Sequence, residues 1–240
     1  MRTFFVGENG RKILDSDYSQ IELRVLASMA KDELMIDAFN SGIDIHSSTA
    51  SQIFNVNVED VTKEMRRKAK AVNFGIVYGI SDFGLAKNTN STRYEAKMYI
   101  ESYLSKYNSI KEYMKNIVND AKRDGYVTTL YGRRRYVSEV SSKNKNIAKF
   151  GERIAMNAPI QGTAADIIKV AMNNVYKKLK SENLKSKLIM QVHDELIIEL
   201  EDGEEDKVKS IVKDAMENVI RLNVPLEIDM NIGSSWYDAK

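Results

Sequence analysis

Two apolar segments separated by only two residues constrain the fold of this chain more than any other feature. Lys187–Val192 and Glu195–Leu200 have the length and aliphatic content of strands, and His193 and Asp194 alone connect them. This arrangement predicts a tight β-hairpin. Asp194 and Glu195 then lie side by side at its tip, where like charges cost stability unless a cation neutralises them.

The remaining pattern predicts a mixed α+β chain with a few scattered strands. We expect a strand at 12–14 leading into 15–17, helices from about residue 19 and over 61–78, 92–124 and 203–221, strands at 127–130 and 136–137, and an extended segment at 226–232. From Ile147 to Lys180 the spacing is helical. We expect an interruption at Ala158-Pro159, because the residue before a proline is pushed out of the α region.

Composition narrows the class of protein. With 240 residues, 43% hydrophobic and 29% charged, the chain is an ordinary globular protein rather than a disordered one. It has no Cys for disulfides and only two His for a zinc site. No stretch approaches the ~20 apolar residues of a membrane helix, and no signal peptide is evident. These features lead us to expect a cytoplasmic protein with no membrane partner.

The net charge of +2 conceals an uneven distribution. Residues 61–160 hold 20 Lys and Arg against 9 Asp and Glu, a net of +11, and the rest of the chain carries −9. A basic region of this kind attracts phosphate backbones. A solvated helical surface explains the same count, and charge alone does not separate the two interpretations.

Asp17 and Asp194 are predicted to lie at strand ends. If their strands are neighbours, the two carboxylates converge on one spot. Such oxygen ligands suit Mg²⁺, which binds through one or two carboxylates plus substrate phosphates. Nearby, Ser19 and Glu22 have the spacing of a helix capping box, which is the structural alternative to a functional Glu22.

Arg66, Lys70, Phe74 and Tyr78 follow one another at intervals of four residues. On a helix they fall within roughly 120° of one face and span about 18 Å. Two cations followed by two rings suit a ligand that has phosphates at one end and a flat base at the other. The alternative is a surface helix whose Arg and Lys stems cover buried rings.

These three clusters, in this order, resemble motifs A, B and C of family A DNA polymerases. The matching segments are Asp17–Arg24, Arg66–Gly79 and Gln191–Glu195, with further family-like stretches at Asp44–His46, Thr129–Tyr136 and Arg153–Asp166. The resemblance covers nearly the whole chain. It implies an α+β polymerase palm, a small antiparallel sheet with helices, that carries a helical fingers insertion. The palm would comprise 1–45 and 146–240, and the fingers with a connecting hairpin 46–145.

The resemblance also implies a function: template-directed DNA synthesis by nucleotidyl transfer from a deoxynucleoside triphosphate (dNTP) to a primer 3′-hydroxyl, releasing pyrophosphate. The implied cofactor is a pair of Mg²⁺ ions, with Mn²⁺ able to substitute, held by Asp17 and Asp194. The implied catalytic residues are Asp17, Asp194, Glu195 and Lys70. The implied dNTP-binding residues are Gln20, Glu22, His46, Arg66, Lys70, Phe74 and Tyr78. The implied contacts to primer-template DNA are Arg153, Asn157, Gln161 and His193.

Two of these positions bear on substrate choice. In the family, a carboxylate at the Glu22 position crowds a ribose 2′-hydroxyl, and relatives with Phe at the Phe74 position tend to reject dideoxynucleotides. The departure from the family is at the start, because motif A begins 16 residues in and leaves no room for a thumb. A fragment, a split gene, or a minimal protein with a separately encoded thumb or exonuclease portion all fit. The alternative function is a thumb-less remnant that binds DNA or nucleotide with little catalysis.

Overall fold

The chain divides into two compact units in the computed structural model, which describes residues 2–240. The first, here called the sheet unit, comprises Met1–Ile21 and Ala164–Lys240, and the second, the helical unit, comprises Glu22–Thr163. The helical unit is inserted between the two segments of the sheet unit, as the palm and fingers plan requires. The unit boundaries fall at other residues than 45/46 and 145/146, and the domain assignment stays a prediction.

Helices and strands are mixed along the chain, and strands distant in sequence form a small antiparallel sheet. This architecture confirms the α+β class. The elements are β1 (Lys12–Tyr18), α1 (Ile21–Ala30), α2 (Glu33–Asn40), α3 (Ile45–Phe54), α4 (Lys63–Val77), α5 (Asp82–Thr89), α6 (Arg93–Lys106), α7 (Asn108–Asp124), β2 (Tyr126–Thr128), β3 (Arg134–Tyr136), α8 (Lys145–Ser181), β4 (Lys187–Val192), β5 (Glu195–Leu200), α9 (Glu205–Glu217) and β6 (Ile228–Gly233). Within residues 2–240, no helix combines the length and apolar character that crossing a membrane requires.

The sheet unit is built on four antiparallel strands in the order β4-β5-β1-β6. The predicted β4–β5 hairpin is confirmed with its bounds, and β5 is buried along its whole length. Because successive side chains of a strand alternate between faces, Ile13 and Ile197 share one face, where they pack against Trp236 and Ala239. This small apolar cluster stabilises the edge of the sheet that carries the acidic residues.

The helical unit has two helices where the sequence predicts one over 92–124. The break is at Tyr107, which has non-helical backbone angles (φ −97°, ψ 65°) and is buried against the ring of Tyr103, with 4.6 Å between the ring centroids. No proline or glycine marks the position. Burial of two large aromatic side chains therefore decides where the helix ends, and local spacing does not reveal it.

The interruption predicted at Ala158-Pro159 is wrong, because α8 continues through Pro159 to Ser181. Proline inside a helix removes one backbone hydrogen bond and crowds the preceding turn. Ala155 and Ile160 flank it and are fully buried. Packing of this face offsets the local cost of the proline, which propensity alone does not foresee.

Candidate active site

Acidic side chains converge at one edge of the sheet unit. Asp15 and Asp17 point to the same face of β1 because they are two residues apart on a strand. Asp17 lies opposite Glu195 in the β1–β5 register, and the backbone N–H of Tyr18 donates to the carbonyl oxygen of Asp194 at 3.3 Å. The strand that carries Asp17 thus lies beside the hairpin that carries Asp194, which is the condition for the two carboxylates to converge.

Glu195 is buried and held by three donors. Arg2 and the indole Nε1 of Trp236 donate to its carboxylate at 3.1 Å each, and Lys240 Nζ donates at 2.6 Å. Lys240 Nζ also lies 2.6 Å from Asp17 Oδ2. The carboxylate of Glu195 is therefore an anchor of the site, which fits a supporting role better than direct metal binding.

The oxygens of this cluster fit a hard divalent cation. Asp17 Oδ1 and both carboxylate oxygens of Asp15 are buried and make no hydrogen bond in residues 2–240. Burial and then the negative charge of Asp17 raise the pKa of Asp194, and burial and then Glu195 raise the pKa of Asp15 to about 6. A bound cation would relieve both effects.

No group of three or more His, Asp or Glu in the described residues forms a ready-made metal cage. Two carboxylates at a half-exposed strand edge are the arrangement that suits Mg²⁺, which keeps water and substrate phosphates as its other ligands. The polymerase family that motifs A, B and C resemble uses divalent metal ions in general.

In the helical unit, α4 carries the predicted cation-and-ring face. Thr62 caps its first turn by accepting from the backbone N–H of Met65. Arg66 forms a two-pronged pair with Asp44, with Nε–Oδ2 and Nη2–Oδ1 distances of 2.8 Å. Partial burial opposes the effect, but this guanidinium and Ser47 hold the pKa of Asp44 at about 2.

Lys70 differs from Arg66 in its surroundings. It is exposed, and within residues 2–240 it makes no hydrogen bond or ion pair. Lys70 is therefore the available ammonium of this helix face, whereas Arg66 already has a carboxylate partner. An exposed ammonium with three donors suits an incoming phosphate.

His46 is buried rather than exposed to solvent. Its Nδ1 lies 3.1 Å from the amide nitrogen of Asn73, whose hydrogen bonds also include Thr49. Burial, and then the positive charges of Arg66 and Lys70, lower the pKa of His46 to about 4. The ring is thus neutral at neutral pH, and its Nε2 is buried without a hydrogen-bond partner among the described residues.

Phe74 and Tyr78 border a pocket with a volume of about 610 Å³ in the helical unit. Its lining residues are Ala71, Phe74, Gly75, Tyr78, Gly79, Ile80, Ser81, Asn88 and Arg153. Gly79 has a φ of +62°, and a Cβ there would lie within 3.0 Å of side-chain atoms of Met156 and Arg153. The turn after α4 thus approaches α8 as closely as it does because residue 79 has no side chain.

Glu22 contacts this same helix face. The hydroxyl of Tyr78 donates to Glu22 Oε2 at 2.7 Å. The side chain of Ser19, the other member of the proposed capping box, donates to Gln20 Oε1 at 3.1 Å. The backbone N–H of Ser19, which a capping box would direct to the Glu22 carboxylate, donates to the carbonyl oxygen of Glu227 at 2.9 Å. The role of Glu22 in substrate choice stays a prediction.

Three of the predicted DNA contacts lie on α8. Arg153, Asn157 and Gln161 are four residues apart, so they share one face of the helix. Arg153 and Gln161 are exposed, and Asn157 Oδ1 is a buried acceptor without a hydrogen-bond partner in residues 2–240. The fourth, His193, is exposed at the β4–β5 turn, where it has a left-handed φ of 53°.

Sequence reasoning missed Asp15 and Lys240. The spacing of Asp15 and Asp17 on a strand was the available signal for Asp15, because residues i and i+2 share a face. Lys240 is 223 residues from Asp17, and no sequence pattern connects the two.

Comparison with known proteins agrees with these observations. The family model for DNA polymerase family A matches residues 1–238. The chain is 53% identical over 240 residues to DNA polymerase I of Caldicellulosiruptor bescii and 53% identical over 239 residues to DNA polymerase I of Geobacillus stearothermophilus. All of this chain is covered in both matches, and it spans 28% and 27% of the length of these relatives.

A solved structure is also similar to this chain. It is the POL domain of Pol1 from M. smegmatis in complex with DNA primer-template and dNTP, at 43% identity and a TM-score of 0.94, covering 99% of this chain and 42% of that one. A likeness of this extent includes both the sheet unit and the helical unit. Together with the family model and the relatives, it shows that the chain belongs to DNA polymerase family A.

Proposed function

We propose that this chain is a template-directed DNA-dependent DNA polymerase that joins a dNTP to a primer 3′-hydroxyl and releases pyrophosphate. The observation that carries the proposal is the pairing of β1 with β5, which brings Asp17 and Asp194 to one sheet edge and leaves carboxylate oxygens there without hydrogen bonds. The similar POL domain structure holds primer-template and dNTP, which supports the same substrates for this chain.

Asp17 and Asp194 are the residues that would hold two Mg²⁺ ions, with Mn²⁺ as a substitute. Two such ions activate an attacking oxygen and stabilise a leaving oxygen in an in-line displacement. The protein's part is to keep both carboxylates at one edge of the sheet. Glu195, fixed by Arg2 and Trp236, holds that edge in place.

The exposed face of α4 supplies the dNTP contacts in this proposal. Lys70 binds the triphosphate and the pyrophosphate that leaves, and Arg66 adds a fork-shaped cation when the triphosphate replaces Asp44 as its partner. Phe74 borders the sugar. Glu22, held in place by Tyr78, crowds the position of a 2′-hydroxyl and so favours deoxynucleotides.

His46 and Gln20 complete the proposed dNTP contacts. The ring of His46 packs 5.8 Å from that of Phe74, centroid to centroid. Because Asn73 donates to Nδ1, the neutral ring carries its proton on Nε2, and a phosphate oxygen would accept from Nε2 once substrate binding exposes this buried nitrogen.

Primer-template DNA would contact the α8 face and the β4–β5 turn. Arg153, Asn157 and Gln161 present one cation and two amides, groups that read minor-groove acceptors common to all correct pairs. His193 is the corresponding contact at the hairpin tip. The net charge of +11 in residues 61–160 supports the phosphate contacts that supply much of DNA affinity.

Primer extension by the 240-residue chain tests the proposal. At low salt with Mg²⁺ and four dNTPs, we expect products whose sequence follows the template, no products in EDTA, and almost none with Asp194→Asn. Asp202→Asn, at an exposed turn of the same unit, is the matched control and should extend normally. Extension by Asp194→Asn at the rate of Asp202→Asn would overturn the proposal.

A second candidate function is binding of primer-template or dNTP with little primer extension by these 240 residues alone, which span 28% of the length of a relative. Measurement of DNA binding beside extension separates the two functions. Recovery of extension on adding a thumb or exonuclease portion as a separate polypeptide would support a separately encoded partner.

A further inference from the structure

Within residues 2–240, Lys240 is the one lysine that pairs with the carboxylates of the acidic edge. Its Nζ is 2.6 Å from Asp17 Oδ2, 2.6 Å from Glu195 Oε1 and 3.8 Å from Asp15 Oδ2. A single cation thus contacts three carboxylates, and the Lys240 side chain is about two-thirds shielded from solvent. Like charges this close destabilise one another unless a cation lies between them.

The backbone around Lys240 is fixed, so its position is built into the fold. Ala239 is fully buried in the cluster with Ile13 and Trp236, and its backbone N–H donates to Ser235 at 3.1 Å. Asp238 accepts from the hydroxyl of Ser235 at 2.8 Å. This turn therefore holds Lys240 beside the carboxylates in the folded chain.

Lys240 and a divalent cation compete for the same carboxylate. Asp17 is a ligand in the proposed function, and its Oδ2 is the oxygen that Lys240 contacts, whereas its Oδ1 makes no hydrogen bond within residues 2–240. An ammonium and a metal ion on one carboxylate repel each other, because each brings positive charge close to the other. Whichever is present reduces the affinity for the other by the same factor.

We infer that Lys240 is a built-in counter-ion of the metal site. It neutralises Asp17 and Glu195 while the site is without metal, and it leaves Asp17 when a divalent ion binds. Lys240 is thus a positioning residue that sets the metal concentration at which the site loads. This inference rests on the proposed metal ligands but not on catalysis.

The affinity for Mn²⁺, measured by electron paramagnetic resonance of the free ion without DNA, tests the inference. Because Lys240→Met removes the competing charge, we expect Mn²⁺ to bind about tenfold more tightly than in the unaltered chain. Lys240→Arg keeps the charge and should stay within about threefold of the unaltered chain. Lys209→Met, which removes a lysine paired with Glu205 at 2.8 Å, is the matched control and should leave the affinity unchanged.

Two further readouts separate competition from a merely structural role. In EDTA, Lys240→Met should unfold at a lower temperature than the unaltered chain, and saturating Mn²⁺ should remove most of that difference. The lysine ¹³Cε signal that disappears in Lys240→Met should shift when Mg²⁺ is added to the unaltered chain. Unchanged or weaker Mn²⁺ binding by Lys240→Met, or a lysine signal that does not shift as Mg²⁺ binds, would overturn the inference.

Asp17→Asn distinguishes failure of the inference from failure of the proposed function. If Asp17→Asn loses Mn²⁺ binding and Lys240→Met binds as the unaltered chain does, the metal site stands and the role of Lys240 is wrong. If Asp17→Asn and Asp194→Asn both bind Mn²⁺ normally, the metal ligands themselves are wrong. Primer extension is measured separately and decides neither question.

Discussion

The acidic edge of the sheet unit and the cationic face of α4 differ in how their charged groups are paired. At the acidic edge, three carboxylates share one ammonium, and burial and then neighbouring carboxylates raise the pKa of Asp15 and of Asp194. On α4, Arg66 is paired with Asp44, while Lys70 is exposed and has no partner within residues 2–240. The first region has more carboxylates than cations, an excess that a metal ion could balance, and the second has positive charge that a phosphate could use.

The contrast indicates which ligand chemistry each region suits. Carboxylate oxygens suit a divalent cation and an exposed ammonium suits a phosphate oxygen, and the proposed function supplies these groups as Mg²⁺ and a dNTP. An acidic cluster and a basic helix are each common on protein surfaces, so neither region identifies its ligand by itself. Substitutions in each region test this contrast.

Removing a carboxylate from the acidic edge should have the largest effect. We expect Asp194→Ala to lower the rate of nucleotide incorporation by about two to three orders of magnitude or more, as loss of preorganised electrostatic stabilisation commonly does. Single-turnover extension with saturating Mg²⁺ measures this rate. A rate within tenfold of the unaltered chain would contradict a catalytic role of the acidic edge.

Protonation of His46 should destabilise the helical unit at low pH. His46 is neutral when folded, with a pKa of about 4 against about 6.5 for an exposed histidine. Between pH 6.5 and pH 4 the unfolded chain therefore binds a proton that the folded chain excludes. Lowering the pH through this range should remove up to about 3 kcal/mol from the free energy of unfolding.

Urea unfolding at pH 7 and pH 4 measures the His46 effect as a difference between variants. His46→Gln cannot be protonated, so the fall in stability between the two pH values should be smaller by that amount than in the unaltered chain. The charged groups around the ring, Asp44, Arg66 and Lys70, are present in both proteins. An identical fall in both would show that the buried ring does not carry this pH dependence.

Removing the exposed ammonium of α4 should weaken dNTP use. Lys70→Met should lower kcat/KM for dNTP by roughly thirtyfold, the size expected for hydrogen bonds to a charged group. Lys63→Met, an exposed lysine in the first turn of the same helix, is the matched control and should stay near the unaltered value. Equal losses of kcat/KM in the two variants would show that α4 is only a generally basic surface.

Removing the carboxylate of Glu22 should alter substrate choice more than rate. Glu22→Ala should lower discrimination against ribonucleotides by about tenfold, since steric exclusion in a pocket is commonly of that size. Tyr78→Phe removes the 2.7 Å hydrogen bond but leaves the carboxylate, so its effect on discrimination should be smaller. The ratio of kcat/KM for matched deoxy- and ribonucleotides gives both values, and no change with Glu22→Ala would contradict a steric role.

The sequence predicted those parts of the molecule that local pattern controls. The β4–β5 hairpin follows from alternating apolar segments and a two-residue connection, and α4 follows from spacing alone. Local pattern did not predict the continuity of α8 through Pro159 or the helix end at Tyr107, because burial outweighs local preference at both places.

The candidate site shows the same division. Asp17 and Asp194 could be paired in advance because both were expected at strand ends, whereas Lys240 reaches them only through the folded turn that contains Ala239. The burial of His46 depends equally on Asn73 and Thr49. Contacts between residues so far apart in sequence need the structure.

Single-turnover incorporation of one dNTP on a defined primer-template tests the proposed polymerase activity most directly. We expect the unaltered chain with Mg²⁺ to add the nucleotide that the template specifies, and Asp17→Asn and Lys70→Met, one from each region, to be slower. A chain that binds primer-template and dNTP but adds no nucleotide, or one whose rate is unchanged by both substitutions, would contradict it.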